Sequence, residues 1–183
     1  MDRGPDRILD EYLVVMSQAG SREALGRLVA RWSPRLLRYS ARTLGAAEGA
    51  EDVVQETWGA ALRVLPQLDD SARFPAWIYA IATRRCADLV RRRQRAQRTG
   101  DRLAAEETLN GHAVAPAGET GLDLTAALRR LPMDQRLTVS LHYGEDLSVE
   151  EVAAVLGVPV GTVKSRLHTA RKALKLFLEG PQP

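Results

Sequence analysis

The chain has 183 residues, enough for one ordinary domain or two small ones and too few for a large multidomain enzyme. Hydrophobic residues make up 45% and charged residues 27%, and 26 Lys plus Arg against 23 Asp plus Glu leave a net charge of +3. This is a globular composition in which the placing of charge matters more than its sum. A single cysteine, Cys86, excludes an internal disulfide framework and a multi-cysteine zinc site within one chain, and fits a reducing, cytoplasmic setting.

Apolar residues recur at steps of three and four through most of the chain and nowhere alternate cleanly with polar ones, which predicts an all-helical fold. Near the N-terminus acidic and basic residues alternate without a long apolar run. Leu25, Leu28, Val29 and Trp32 form the first stripe. Ser33-Pro34 then reads as a cap followed by proline at the first helical position, opening a helix through Leu36, Leu37 and Tyr39. From Glu51 to Leu65 the apolar set Val54, Trp58, Ala61, Leu62 and Leu65 shares one side of a helix that Pro66 ends. After a polar loop, Pro75 starts a long helix with Ile78, Ile81, Ala82 and Leu89 inward, running out into Arg91, Arg92 and Arg93. Between about Gln94 and Gly121 periodicity fades and Gly, Pro and Asn accumulate, the composition of a connector. Periodicity returns at 122–131, 135–143, 149–156 and 160–178, a second unit of about four short helices. No stretch approaches the roughly 18 apolar residues of a membrane span, so no insertion is expected.

Ser148-Val149-Glu150-Glu151 is a capping box: the serine hydroxyl can accept from the amide three residues on, and the Glu151 carboxylate can reach back to the Ser148 amide. Val152, Ala153, Val155 and Leu156 supply the inner face of that helix. Gly157 can stop it in the left-handed conformation, and Val158-Pro159 turns into the next. There Val163, Leu167, Ala170 and Leu174 share the inner face, which puts Ser165, His168, Thr169 and Lys172 opposite, with Lys164 and Arg171 on a flank. Five basic residues and no acidic one stand between Pro159 and Lys175, a potential that attracts phosphate. A basic helix alone more often just faces water; the capped helix and glycine turn before it favour a helix-turn-helix reading the DNA major groove.

In the first unit the signs separate. Glu48, Glu51, Asp52 and Glu56 stand without a basic neighbour, whereas 84–102 holds eight arginines against Asp88 and Asp101. Asp52, Gln55 and Glu56 share one helical face, suited to docking a basic protein surface. Two carboxylates at that spacing could instead hold a metal or act as acid and base, but no further ligand set accompanies them, and neither a metal site nor a cofactor is expected. Phe74, Trp77 and Tyr79 crowd the start of the arginine-tailed helix, as aromatic rings for unstacked bases would. Phe74 shares a face with Ile78 and Ile81, which leaves Trp77 and Tyr79 as the rings expected to be exposed.

The segments SREALGRLVARWSPRLLRYSARTLG, AEDVVQETW, RFPAWIYAIATRRCADLVRRR and LSVEEVAAVLGVPVGTVKSRLHTARKAL, in that order, resemble the extracytoplasmic-function (group four) sigma factors of bacteria over nearly the whole chain. The resemblance implies an all-α protein: a region-two unit over 1–94, a flexible linker over 95–121 and a region-four unit over 122–183. It implies that Asp52, Gln55 and Glu56 grip the β′ clamp of core RNA polymerase, whose β flap is a further partner. It places Asp69, Asp70, Ser71, Arg73, Phe74, Trp77, Tyr79, Arg84, Arg85, Arg91 and Arg92 at the minus-ten element, with loop 68–73 holding a flipped base. Thr162, Lys164, Ser165, Arg166, His168, Thr169, Arg171 and Lys172 match the reader of the minus-thirty-five duplex. Promoter DNA and an anti-sigma factor are the other implied partners, and no covalent chemistry is implied. The rival reading is a dimeric helix-turn-helix regulator with a helical sensing domain, which would not need the Asp52-Gln55-Glu56 patch. An enzyme fails for want of a nucleophile, metal or phosphate-loop constellation.

Overall fold

The computed structural model describes residues 5–98 and 119–179; most of the expected linker lies outside them. Among the described residues every regular element is helical: α1 Pro5–Gln18, α2 Arg22–Leu44, α3 Ala50–Val64, α4 Phe74–Arg98, α5 Glu119–Arg130, α6 Met133–Val139, α7 Val149–Leu156 and α8 Val160–Glu179. Two single 3₁₀ turns, Leu65–Gln67 and Ser71–Arg73, join α3 to α4, and a π-helical turn, Ser140–Gly144, follows α6.

Helix α1 has no counterpart in the stripes read from sequence. Its fully buried residues are Leu13, Val14 and the charged Asp10, with Leu9 and Met16 partly buried against the core, and Asp10 is satisfied by Arg31 of α2, whose Nε donates to Oδ1 at 2.7 Å. Helix α2 starts at Ser21, which caps the Ala24 amide, and ends at Gly45, whose left-handed φ of 72° lets its N–H close onto the Ala41 carbonyl. The helix start expected at Ser33-Pro34 does not occur: Pro34 lies inside α2. Leu28, Trp32, Leu36 and Tyr39 form one fully buried stripe across it, and burial of that stripe outweighs the hydrogen bond proline removes. Ser33 is not a cap; its hydroxyl donates to the Val29 carbonyl and accepts from Trp58 Nε1 of α3 at 3.0 Å.

That indole contact helps set the rotation of α3. The buried face is Ala50, Val53, Thr57, Trp58 and Ala61, followed by Leu65, so Val54 is only partly covered and Leu62 is 43% exposed, against the expected set. On α4, Phe74, Ile78, Tyr79, Ala82 and Cys86 are buried while Ile81 and Leu89 are partly covered. The aromatic cluster is knitted edge to face, with Trp32 at 5.2 Å from Phe74 and Tyr39 at 5.1 Å from Tyr79.

The helices of the C-terminal part pack around Leu137, Leu141, Leu147, Val152, Val163, Leu167 and Ala170, and this cluster is continuous with the core of α1 to α4. The junction is α7 laid on α4, with α6 and the π-helical turn against α2.

Candidate nucleic-acid interface

The helix-turn-helix forms as its sequence dictates. Ser148 Oγ accepts from the Glu151 amide at 3.1 Å, and a Glu151 carboxylate oxygen accepts from the Ser148 amide at 2.7 Å, so two of the free donors at the start of α7 are satisfied. Gly157 takes φ 64° and hands its N–H to the Ala153 carbonyl. In α8, Val163, Leu167 and Ala170 are buried, and Leu174 is partly so. Lys164, Ser165, His168, Thr169, Arg171 and Lys172 are exposed together on the other side. On this face Lys164 and Arg171 line one flank, and Lys172 stands among the hydrogen-bonding side chains opposite the buried row, so that phosphate contacts can position the helix while base edges are read. Thr162 is half-buried at the start of the helix. Arg166 points elsewhere, its Nε 3.1 Å from Asp134 at the start of α6.

In the first unit Asp52, Gln55 and Glu56 are all exposed on one side of α3. Glu56 is shared: Arg92 lies 3.5 Å and Arg85 3.9 Å from its carboxylate, so residues assigned by resemblance to different partners face each other across α3 and α4. The turn before α4 is open. Asp69 and Asp70 are exposed, Ser71 is half-buried, and Asp70 accepts from the Ala72 amide at 3.0 Å while the Arg73 side chain reaches into solvent. Phe74 is core, as expected, and Trp77 is half-buried beside it, the rings 5.8 Å apart.

Tyr79 corrects the sequence reading. It is 1% exposed, because the C-terminal part covers this side of α4 and because its ring packs on Trp32 and Tyr39. Its hydroxyl donates to the carboxylate of Glu145, which also accepts from the Arg42 guanidinium. Burial pushes the Glu145 carboxyl up, and the bonds from Tyr79 and Arg42 offset part of that rise; burial also raises the Tyr79 hydroxyl. Arg84 and Arg91 line a crevice opposite Leu156, Gly157 and Val158. Glu145, Arg42 and Arg136 were not singled out in the sequence. Glu145 sits in a loop with no periodicity, and its partners are 66 and 103 residues away.

The exposed, acid-free face of the second helix of a helix-turn-helix, carried with an acidic patch on α3 and an arginine-rich α4, defines a two-part helical protein that engages DNA and a second macromolecule. The families described as Sigma-70 region 2 and Sigma-70 region 4 match residues 28–96 and 121–174. The ECF RNA polymerase sigma factor SigE of Mycolicibacterium smegmatis is 36% identical over 82% of this chain, which spans 60% of that protein. The ECF RNA polymerase sigma-E factor of Escherichia coli K12 is 31% identical over 92% of this chain and 94% of its own. Among solved structures, the sigma factor RpoE from Bartonella quintana, in complex with the anti-sigma factor NepR, superposes with a TM-score of 0.73 at 25% identity, covering 86% of this chain and 98% of that one. The chain belongs to the extracytoplasmic-function sigma factors of RNA polymerase. It is an alternative sigma factor directing promoter-specific transcription, and the rival reading as a dimeric regulator is not favoured.

Proposed function

We propose that this sigma factor works in the cytoplasm by binding alone, with Asp52, Gln55 and Glu56 of α3 contacting the β′ clamp of core polymerase. Its second unit reads the minus-thirty-five duplex through Ser165, His168 and Thr169 while Lys164, Arg171 and Lys172 hold phosphate. Loop 68–73, Trp77 and the arginines of α4 engage the minus-ten element. The observation that carries this reading is the pairing, in one chain, of an exposed acidic face on α3 with an exposed acid-free face on α8: like charge keeps the first off DNA, and opposite charge draws the second to it. An anti-sigma factor is the expected regulator, since a similarly built sigma factor is bound by one. The first unit, through α4, and the second, from α5 on, are joined by the connector between Arg98 and Glu119, long enough to let them separate.

The test of the polymerase assignment is co-purification. Replacing both Asp52 and Glu56 by lysine is expected to abolish recovery of the chain with core polymerase while leaving its helical circular dichroism unchanged; undiminished recovery removes α3 from the interface.

A further inference from the structure

The contacts between the two units contain a feature that neither polymerase nor DNA binding explains. Glu145 leaves the π-helical turn and enters a site between α2 and α4, where its side chain is only 7% exposed. Both donors that meet it, the Arg42 guanidinium and the Tyr79 hydroxyl, belong to the first unit. A crevice of about 300 Å³ beside it is lined by Arg7, Arg35 and Arg38 and also by Asp6, Asp10 and Asp146, so the charge that directly meets the acid is that of Arg42. The backbone is fitted to this approach: a Cβ on Gly144 would stand 2.7 Å from Arg42 Nη2. Two further bonds cross in parallel. Arg136 Nη1 donates to the Thr43 carbonyl at the end of α2 at 3.1 Å, and Arg7 Nη2 donates to Glu151 at 3.1 Å.

We propose that Glu145, seated between Arg42 and Tyr79, is a latch that holds the free chain in a closed form unable to occupy both promoter elements at once. The geometry of the promoter supplies the reason. Elements centred near minus ten and minus thirty-five are about 25 base pairs, or about 85 Å, apart at 3.4 Å per pair. A compact globule of this chain length has a radius of gyration of about 16 Å. With α7 seated on α4 and Tyr79 covered, the outward face of α8 stays available but the span does not, so opening must precede engagement of both elements. Because the latch is a buried charge with its partners on the other unit, reversing one sign turns attraction into repulsion at a site with little water to screen it.

This span argument rests on the sigma-factor reading, and the test is therefore made on the free chain without DNA or polymerase. Spin labels at Arg63→Cys on α3 and Glu150→Cys on α7, both exposed positions, report the separation of the units by pulsed electron resonance; the buried Cys86 is left in place. The parent should give one narrow, short distance. Glu145→Lys and Arg42→Glu should each spread the distribution to long distances, with at least a tenfold rise in the open population. The charge swap carrying both changes should return the narrow distance. Gly144→Ala, which alters no charge and tests the same seat should either single variant fail to fold, should also open the chain by displacing Arg42. A parent already broad, single variants that stay narrow, or a swap no better than the singles overturns the latch and leaves the sigma-factor assignment untouched.

Discussion

Replacing Ser148 by alanine tests whether the capping box holds the first helix of the DNA-binding motif. Helix α7 spans only Val149–Leu156, too short to persist on helix propensity, so its order rests on packing and on its ends. The substitution removes the acceptor of the Glu151 amide and weakens the return bond that Glu151 makes to the Ser148 amide; loss of a serine cap costs about 1 kcal/mol. If α7 frays locally, that is about a fivefold rise in amide exchange across Val152 to Gly157, measured on the full chain with the amides of α3 as internal reference. Glu151→Ala should cost slightly more, because it also removes the half-exposed pair with Arg7, worth less than about 1 kcal/mol. Arg7→Ala alone should leave exchange in α7 within about twofold of the parent. An α7 that exchanges no faster in Ser148→Ala, or an equal acceleration in α3, would refute a local role for the cap.

Ser33→Ala should lower stability by about 1–2 kcal/mol, read from the urea midpoint, because the buried Trp58 Nε1 loses its acceptor; Trp58→Phe in that background should add less than it does alone. Burial pushes the Cys86 thiol up to about 12. This group is an acid whose folded value is raised, so its contribution is complete below the unfolded value of about 8.5 and fades as pH rises toward 12, at roughly 1 kcal/mol per pH unit. Stability measured from pH 8 to 11 should fall accordingly, and Cys86→Ala should flatten the slope. On promoter duplex, Lys172→Ala should weaken all sequences together and reduce the salt dependence, whereas His168→Ala and Thr169→Ala should alter sequence preference; fluorescence anisotropy against two unrelated duplexes separates these outcomes.

Local rules carried the helix-turn-helix and failed where distant elements decide. The capping box, Gly157 and the inner row of α8 could be read because each depends on residues within a few positions of one another. The rotation of α3 could not: Val53 and Thr57 are inward rather than Val54 and Leu62, in an arrangement where Trp58 meets Ser33, 25 residues earlier. Pro34 misled because its usual role at a helix start was outweighed by a buried stripe on both sides of it. Helix α1 was missed because its inner face contains Asp10, a polar residue that becomes tolerable only with Arg31 alongside. Tyr79 was expected at the surface because the loop that covers it lies across the connector, where periodicity is silent.

The polar contacts of this protein divide by burial, and the division matches what each must do. The Glu56 carboxylate and the arginines of α4 meet at 3.5 Å or more and are 31–59% exposed, so each pair contributes no more than about 1 kcal/mol and is readily exchanged for a partner's groups. Lys164 and Lys172 of α8 are likewise exposed. The surfaces assigned to polymerase and DNA therefore lose little when they are taken over. Glu145 is the opposite case: with a side chain 7% exposed, it gives up most of its hydration to dock, and removing either donor would leave a buried carboxylate oxygen without its partner. Its contribution is to the arrangement of the units rather than to the affinity of a face. A partner that binds only the exposed surfaces can do so with the units closed, whereas one that needs them far apart must first meet the cost of separating Glu145 from Arg42 and Tyr79.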